Sequence, residues 1–387
     1  MSAPATPKVY GWCPGALRPM MSGDGLVVRI RAPLGRLSPA QARAVAALSE
    51  RFGNGVLDVS ARANLQMRGV RPEAHAELIA ALQQLGLVDR DAAFEARRNI
   101  LLTPFWRDGD RSHRIARALS DALAAASDLR LPGKFGFAVD AGDTPVMQDI
   151  AADIRIEGAG ADLSLRADGA DVALPVTEDS ASDAALALAR WFLEQGGAPE
   201  GRGRMHRLIA RRGPPASHGA NGATGAYTAT PGLTACGQLV ALEFGQIPAA
   251  TFAALAESGP LRLPPWRLVL IEDAPDLASL PVLILDATDP RLQVTACTGA
   301  PGCLQARATT RDLARNLAPH LPGGTRLHVS GCAKGCAHPK PADVTLTATG
   351  PDTFDLIRNG RAEARPALTS LTARALRAAP DVLTKDP

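Results

Sequence analysis

The chain has 387 residues, of which 46% are hydrophobic and 21% charged, and its net charge is +3. That much apolar surface can form a large folded core, which excludes a globally disordered protein. The small net charge, without a block of about five like charges, argues against a nucleic-acid-binding protein. No signal-peptide pattern and no run of about 18 apolar residues occurs, so we expect a cytoplasmic protein without a membrane partner.

The first elements along the chain follow an α+β pattern. Apolar residues alternate with arginines from Leu26 onwards, which predicts a strand with one buried face. Ser38 and the proline after it suit the N-cap and first position of a helix. Two short strands at 56–59 and 65–70 and a helix at 73–85 complete the order strand, helix, strand, strand, helix.

A segment without periodicity follows at 211–232 and is rich in Gly, Ala, Pro and Ser. We interpret it as a linker between two halves of the chain. It is either a plain surface connection or a lid over a site, and general loop behaviour favours the connection.

The two halves resemble each other. At an offset of 190 residues, the segment beginning at Leu321, LPGGTRLHVSGCAKGCAHPKPADVTLTA, matches the one beginning at Leu131, LPGKFGFAVDAGDTPVMQDIAADIRIEG. A looser match relates QLVALEFGQIP from Gln238 to GLVVRIRAPLGRLSP from Gly25. The sequence therefore predicts an internal duplication.

Four cysteines form two glycine-rich pairs in the second half. Cys297 and Cys303 have five residues between them, Cys332 and Cys336 have three, and each pair follows a strand-like run. Strand ends in one sheet can converge, and four thiolates in glycine-rich loops are typical ligands of an iron–sulfur cluster. A structural zinc usually takes thiolates that are two residues apart, and disulfides are rare in a reducing compartment. Both remain as less favoured alternatives.

The cysteine pattern resembles the cluster signature of the sulfite and nitrite reductases, and the resemblance extends over nearly the whole chain. It implies a duplicated α+β fold with two ferredoxin-like half-domains and two α/β lobes related by pseudo-two-fold symmetry, and a 4Fe-4S cluster on the four cysteines. The boundaries that it suggests are a half-domain at 14–90, a lobe at 91–210, a linker at 211–232, a second half-domain at 233–288 and a cluster lobe at 289–387.

The resemblance also implies an anion-binding site in the first half. SARANLQMRG is similar to a family segment with an essential arginine, which falls on Arg62, and RRNILLT is similar to a second, which falls on Arg98. LPGKFGF is similar to a segment with two lysines, one of which is present as Lys134 while Gly136 stands at the other position. The full set expected to bind the carboxylates of a tetrapyrrole consists of cations in this half: Arg29, Arg31, Arg62, Arg68, Arg97, Arg98 and Lys134.

The residues of several motifs resemble those of the precorrin-3B synthases, a cobalamin-pathway branch of the superfamily. These motifs are CPGALRPMMSGDGLVVR, VSARANLQMRGV, LPGKFGFAVD, ACTGAPGCLQARATTRDLARNLAP and GCAKGCAHP. The resemblance implies an iron–sulfur monooxygenase that hydroxylates precorrin-3A with dioxygen and closes a lactone. Loss of the second lysine removes a cation from the place where sulfite or nitrite would bind. A small siroheme-dependent sulfite or nitrite reductase is the alternative, and a non-catalytic electron carrier is a weaker third.

Three residues near the second cysteine pair are secondary candidates. His338 either ligates a separate mononuclear iron, since imidazole suits iron, or only forms a hydrogen bond. Lys334 and Lys340 either meet carboxylates or are solvated. We interpret Cys13 and Cys236 as ordinary thiols, and no residue is assigned to catalysis. No GxGxxG fingerprint occurs, so the electron donor is expected to be an external ferredoxin or NAD(P)H reductase. Siroheme is expected only under the reductase alternative.

Overall fold

A computed structural model describes residues 15–215, 219–221, 227–274, 277, 280 and 282–384. Cys13 and position 14, where the first half-domain was expected to begin, lie outside these ranges. So do parts of the predicted linker at 211–232.

The first repeat opens with an antiparallel sheet and two helices. Ser38 caps the first helix, because its side chain accepts a hydrogen bond from the Gln41 N–H while the Gln41 side chain accepts one from the Ser38 N–H. The predicted helix at 73–85 starts with a 3-10 turn at Pro72–Ala74 and ends before Gly86, whose φ is +69°. The elements are β1 (Met20–Ser22), β2 (Gly25–Ile30), β3 (Arg36–Leu37), α1 (Pro39–Phe52), β4 (Val56–Val59), β5 (Leu65–Val70) and α2 (His75–Gln84).

A second sheet follows in the same repeat, with three parallel strands connected through helix and loop. The elements are α3 (Ala92–Arg97), β6 (Ile100–Leu102), α4 (Arg111–Ala125), β7 (Phe137–Asp140), β8 (Ile154–Ala159), β9 (Asp162–Ala167), β10 (Val172–Pro175), α5 (Glu178–Glu194), α6 (Met205–Arg212) and β11 (Ala220–Asn221). β6, β7 and β8 are parallel and β9 is antiparallel to them. The described part of 211–232 therefore includes the end of a helix and a short strand rather than irregular chain alone.

The second repeat follows the same order of elements. They are β12 (Gly232–Thr234), β13 (Gly237–Leu242), β14 (Gln246–Pro248), α7 (Ala249–Leu255), β15 (Leu261–Arg262), β16 (Leu268–Glu272), β17 (Leu283–Ile284), β18 (Val294–Ala296), α8 (Arg311–Leu317), β19 (Leu327–Ser330), β20 (Ala342–Gly350), β21 (Thr353–Gly360), β22 (Leu368–Thr372) and α9 (Ala373–Ala378). β7 and β19 begin at Phe137 and Leu327, which match at the offset of 190 residues seen in the sequence. The duplication is confirmed.

The two repeats exchange short strands. Sheet A has the order β1-β2-β5-β4-β14, so its edge is supplied by the second repeat. Sheet B has the order β12-β13-β16-β15-β3, so its edge is supplied by the first. Neither half-domain sheet is confined to one stretch of sequence, and the domain boundaries stay predictions. Sheet C (β11-β10-β9-β8-β7-β6) and sheet D (β18-β19-β20-β21-β22) stay within their own repeats.

Sheets A and B share one apolar core, which includes Val28 and Leu57 from the first repeat and Val240 and Ile271 from the second. The opposite faces of the two sheets differ. Cross-strand pairing aligns Arg29, Gln66, Asp58 and Gln246 on sheet A, whereas Ala241 and Leu268 form the corresponding pair on sheet B. The face of sheet A away from the core is therefore polar, and that of sheet B is apolar. No helix in the described ranges is long and apolar enough to cross a membrane.

Candidate functional site

The cysteine loops, residues 297–303 and 331–336, meet at one edge of sheet D. Cys297 directly follows β18, and Cys332 lies two residues after β19, which is the parallel neighbour of β18. Because parallel strands end at the same edge of a sheet, both loops leave from the same place. The Gly331 N–H donates a hydrogen bond of 3.1 Å to Cys297 Sγ, so the two loops are in direct contact.

The four thiols are close enough to affect one another. Desolvation, together with the nearby Cys297, Cys303 and Cys332, raises the pKa of Cys336 to about 11. Desolvation also raises the pKa of Cys332, with Cys303 and Cys297 adding to the shift. Cys336 is exposed and the other three are half-buried. Deprotonation of all four thiols would bring four negative charges close together. Positive iron ions would offset that repulsion and stabilise the thiolates.

The glycines of these loops leave no room for side chains beside the sulfurs. A Cβ at Gly331 would lie 2.7 Å from the Ala306 Cβ and 3.3 Å from Cys297 Sγ. Gly335, between the last two cysteines, has a φ of +59°, which disfavours other residues. Backbone amides can therefore approach the sulfurs closely, as an iron–sulfur cluster needs. The residues present fit such a cluster.

The secondary candidates lie beside the second cysteine loop. Lys334 and Lys340 are exposed. The His338 Nε2 lies 3.2 Å from the Pro341 carbonyl oxygen, and its ring centroid lies 5.7 Å from that of His328. Within the described ranges, no group of three or more His, Cys, Asp or Glu side chains, the four cysteines included, is arranged as it stands to hold a metal ion. The cluster on the four cysteines and the mononuclear iron at His338 therefore both stay predictions.

Four of the predicted cations are joined in one group, which we call the cation group: Arg31, Arg62, Arg98 and Lys134. Arg62 Nη1 donates to the Lys134 carbonyl at 3.2 Å. Arg31 Nη1 donates to the Arg98 carbonyl at 3.2 Å, and Arg98 Nη2 donates to the Arg31 carbonyl at 3.3 Å. Asn64 connects the two pairs, because its Oδ1 accepts from Arg31 Nε at 3.3 Å and its Nδ2 donates to the Arg62 carbonyl at 2.6 Å.

The cation group has more positive than negative charge around Arg31. Desolvation, together with the neighbouring Arg29 and Arg98, lowers the pKa of Arg31 to about 10 against the opposing effects of Glu95 and of Asp89, which pairs with Arg98 at 2.8 Å. Arg29 is buried, and its Nε has no hydrogen-bond partner within the described chain. A bound anion would supply both the missing negative charge and a missing acceptor.

Two of the predicted tetrapyrrole-binding arginines lie elsewhere, and their assignment is corrected. Arg68 is buried, and its guanidinium forms a bidentate pair with Asp24, a second pair with Asp58 at 3.3 Å, and a 2.7 Å hydrogen bond to the Gly302 carbonyl. Arg97 is also buried, with Nε directed at the Leu123 carbonyl between α3 and α4. Both guanidiniums hold protein segments together, so neither is available to a ligand.

Gly136, at the position of the second family lysine, is tightly packed. It is buried, and a Cβ there would lie 2.6 Å from Asn99 Nδ2, which donates to the Phe135 carbonyl at 2.9 Å. The glycine makes room for Asn99, and a lysine side chain cannot replace it without displacing that amide.

Sequence reasoning missed Arg267, Asp58 and Arg311, which lie around the cysteine loops. Arg267 Nη2 donates to the Ala337 carbonyl at 2.9 Å, directly after Cys336. Asp58 lies 3.3 Å from Arg68 and 3.5 Å from Arg311 at the start of α8. A signal for Arg267 existed, because aligning Gly259 with Gly55 places Trp266, Arg267 and Leu268 at the positions of Arg62, Ala63 and Asn64.

Comparisons with known proteins agree with this architecture. Residues 18–85 match the family model of the nitrite/sulfite reductase ferredoxin-like half domain. A precorrin-3B synthase from Sinorhizobium is 28% identical over 92% of this chain and 84% of its own length. A ferredoxin–nitrite reductase from Leptolyngbya laminosa is 24% identical over 87% of this chain and 79% of its own length.

One solved structure has the same fold. The NirA protein of Mycobacterium tuberculosis superimposes with a TM-score of 0.64, covers 92% of this chain and 79% of its own, and is 18% identical in sequence. The expected duplicated α+β architecture of the sulfite/nitrite reductase type is thereby confirmed.

Proposed function

We propose that this chain, which has the fold of NirA and matches the nitrite/sulfite reductase half-domain model at residues 18–85, is a precorrin-3B synthase: it hydroxylates precorrin-3A with dioxygen and forms a lactone. It is similar over 92% of its length to a precorrin-3B synthase. The observation that carries the choice of substrate is the environment of Gly136, which supplies no cation and where a Cβ would lie 2.6 Å from Asn99 Nδ2. A small oxyanion loses electrostatic attraction there, whereas an uncharged oxidant loses none.

In this proposal the cation group binds the substrate. A precorrin carries several carboxylates, and guanidinium groups bind carboxylates bidentately. Arg31, Arg62 and Arg98 lie together with Lys134 in a region that desolvation and mutual repulsion leave short of negative charge. Carboxylates bound there would restore charge balance and fix the orientation of the macrocycle.

The second repeat supports electron transfer in the same proposal. Cys297, Cys303, Cys332 and Cys336 would hold a 4Fe-4S cluster, which supplies one electron at a time when it is bound. Arg267 holds the chain just after Cys336 through the Ala337 carbonyl. The donor is an external ferredoxin or NAD(P)H reductase, and a nitrite reductase among the relatives is named for its use of ferredoxin.

The reaction is tested with protein that keeps its cluster, a reductant, precorrin-3A and isotopically labelled dioxygen. The expected product carries one labelled oxygen, and turnover of sulfite and nitrite is negligible. A visible spectrum of the anaerobically purified protein serves as the control for siroheme. Rapid sulfite or nitrite reduction by a siroheme-containing protein, without a labelled tetrapyrrole, would instead identify a small siroheme-dependent reductase.

A further inference from the structure

The second repeat contains a cavity separate from the cation group. It encloses about 1110 Å³, including the part open to solvent, between sheet B and the beginnings of β18 and β19. Its floor is the apolar face of sheet B, represented by Ala241, Leu268 and Ile284. We call this cavity the aromatic pocket, because Phe244, Trp266 and Tyr227 also line it.

The aromatic side chains form an apolar wall of inclined rings. The Tyr227 and Trp266 ring centroids are 5.2 Å apart with 43° between the ring planes. Phe105 contacts both rings from behind, at 5.9 Å and 6.3 Å between centroids, and limits their movement. A planar conjugated ring can stack on such a wall at little conformational cost.

Three arginines lie around this wall, namely Arg267, Arg291 and Arg326. Desolvation lowers the pKa of Arg267, so its charge is poorly solvated. Arg291 is paired with Asp289 at 2.6 Å, whereas Arg326 is exposed and has no ion pair within the described chain. The only acidic residue among those that line the cavity is Asp149. The pocket is therefore apolar on its floor and positive at its edge.

The duplication relates the aromatic pocket to the cation group. When β7 is aligned with β19, Arg326 is equivalent to Gly136 in the first repeat. When β6 is aligned with β18, Leu292 is equivalent to Arg98. Phe244 corresponds to Leu34. Phe244 lies between β13 and the exchanged strand β14, and Leu34 lies between β2 and the exchanged strand β3. Their φ values are 55° and 52°, respectively. The two repeats thus have pockets at equivalent places, with their cations at different positions.

We propose that the aromatic pocket is a second binding site for a planar polycarboxylate of the tetrapyrrole class. A conjugated macrocycle can stack on one of the aromatic rings and lie on the apolar floor, and the arginines suit carboxylates on its periphery. The choice of ligand class rests on the proposed function, but the site itself is lined by residues outside the cation group. Arg267 connects the pocket to the cysteine loop, because the same side chain donates to the Ala337 carbonyl.

Uroporphyrin, a porphyrin with eight carboxylates, is a suitable probe. Equilibrium dialysis against the cluster-containing protein measures how many uroporphyrin molecules bind per chain. Two sites per chain are expected. Leu292→Glu places a carboxylate in the pocket and should weaken one site at least about tenfold. Arg326→Ala, at an exposed position, should weaken the same site by about tenfold through loss of a charged hydrogen bond. Leu233→Glu is the matched control, since Leu233 is 70% exposed and does not line the pocket.

The outcomes separate this proposal from the proposed function. Loss of one site in the pocket variants and of the other in Arg62→Ala or Arg98→Ala supports both. A single site that is lost only in Arg62→Ala or Arg98→Ala overturns the second site. A single site that is lost only in the pocket variants supports the aromatic pocket and overturns the role of the cation group. Unchanged iron content and circular dichroism exclude misfolding of any variant.

Discussion

Each of the four cysteines in the loops at the edge of sheet D has three thiol neighbours, so removal of one changes the whole donor set. Replacing Cys332 or Cys336 with serine should greatly lower the bound iron and sulfide, because a hydroxyl is a poor substitute for a soft thiolate. Iron and acid-labile sulfide per chain measure the effect. Cys236→Ser is the control, because Cys236 donates to the Phe105 carbonyl and packs against the apolar face of sheet B. Full iron and sulfide in both loop variants would contradict the cluster assignment.

Arg68 holds the first cysteine loop against sheet A. Its bond to the Gly302 carbonyl lies between Cys297 and Cys303, and Asp24 and Asp58 fix its guanidinium. Arg68→Ala leaves Asp24 without its ion pair and Asp58 with only the 3.5 Å contact to Arg311, which should cost about 3 kcal/mol of unfolding free energy and speed iron loss to a chelator. Arg71→Ala removes an exposed arginine and should change neither quantity. Equal chelation rates in the two variants would show that Arg68 does not hold the loop.

Residue-level prediction was most specific where a motif fixes the neighbours of a side chain, and the binding roles of these residues stay predictions. Arg62, Arg98 and Lys134 were identified from motifs and lie together. Arg68 and Arg97 were included only because they are cations in the same half of the chain. Their partners, Gly302 and Leu123, come from other elements, and composition does not reveal such contacts.

At the scale of elements, Glu272 fastens the exchanged strand β3 to sheet B. Arg36 on β3 forms a bidentate pair with Glu272 on β16, and Arg262 on β15 donates to the same carboxylate at 2.5 Å. Glu272→Gln leaves the buried Arg262 without a counter-charge and should lower the free energy of unfolding by about 3 kcal/mol. Denaturant titration measures it, with the exposed Glu257→Gln as the control. If Glu272→Gln lowers the free energy of unfolding no more than Glu257→Gln does, Glu272 does not hold β3 to sheet B.

The same carboxylate predicts a pH dependence. Burial alone would raise the pKa of Glu272, but hydrogen bonds from Arg36 and Arg262 outweigh burial and lower the pKa below its usual value of 4.5. Its stabilising contribution is therefore complete above about pH 4.5 and is lost as pH falls through the lowered pKa. The stability difference between wild type and Glu272→Gln should shrink in that acid range. A difference that does not change with pH would contradict the ion pair.

Helices and strands could be predicted from the sequence where they are long enough to show a periodic pattern or begin at a recognisable cap. The capped helix α1 and the strands β4 and β5 occur where the pattern placed them. The exchange of β3 and β14 was not predicted, because strands of two and three residues carry no detectable alternation. Their pairing is fixed by contacts between distant parts of the chain.

At the scale of the whole molecule, the shared core makes the repeats depend on each other. A fragment of residues 1–221 lacks β14, and one of residues 222–387 lacks β3, so each would expose half of the apolar core. We expect neither to unfold cooperatively alone, and co-expression to restore a complex with bound iron. Circular dichroism, gel filtration and iron analysis test this. A cooperatively folded single fragment would show that the exchanged strands are dispensable.

The strand exchange also bears on how such a chain could arise. A protein made of one repeat would have a sheet with an open edge and a strand without a partner. Two copies related by a two-fold axis satisfy both needs, so the ancestor of this architecture is best understood as a strand-swapped homodimer with two identical pockets. Once two copies are joined in one chain, their sequences can differ, so each copy no longer has to provide both the cysteine loops and the cation group. In this chain the cysteine loops lie in one repeat and the cation group in the other, a difference that two identical chains cannot have.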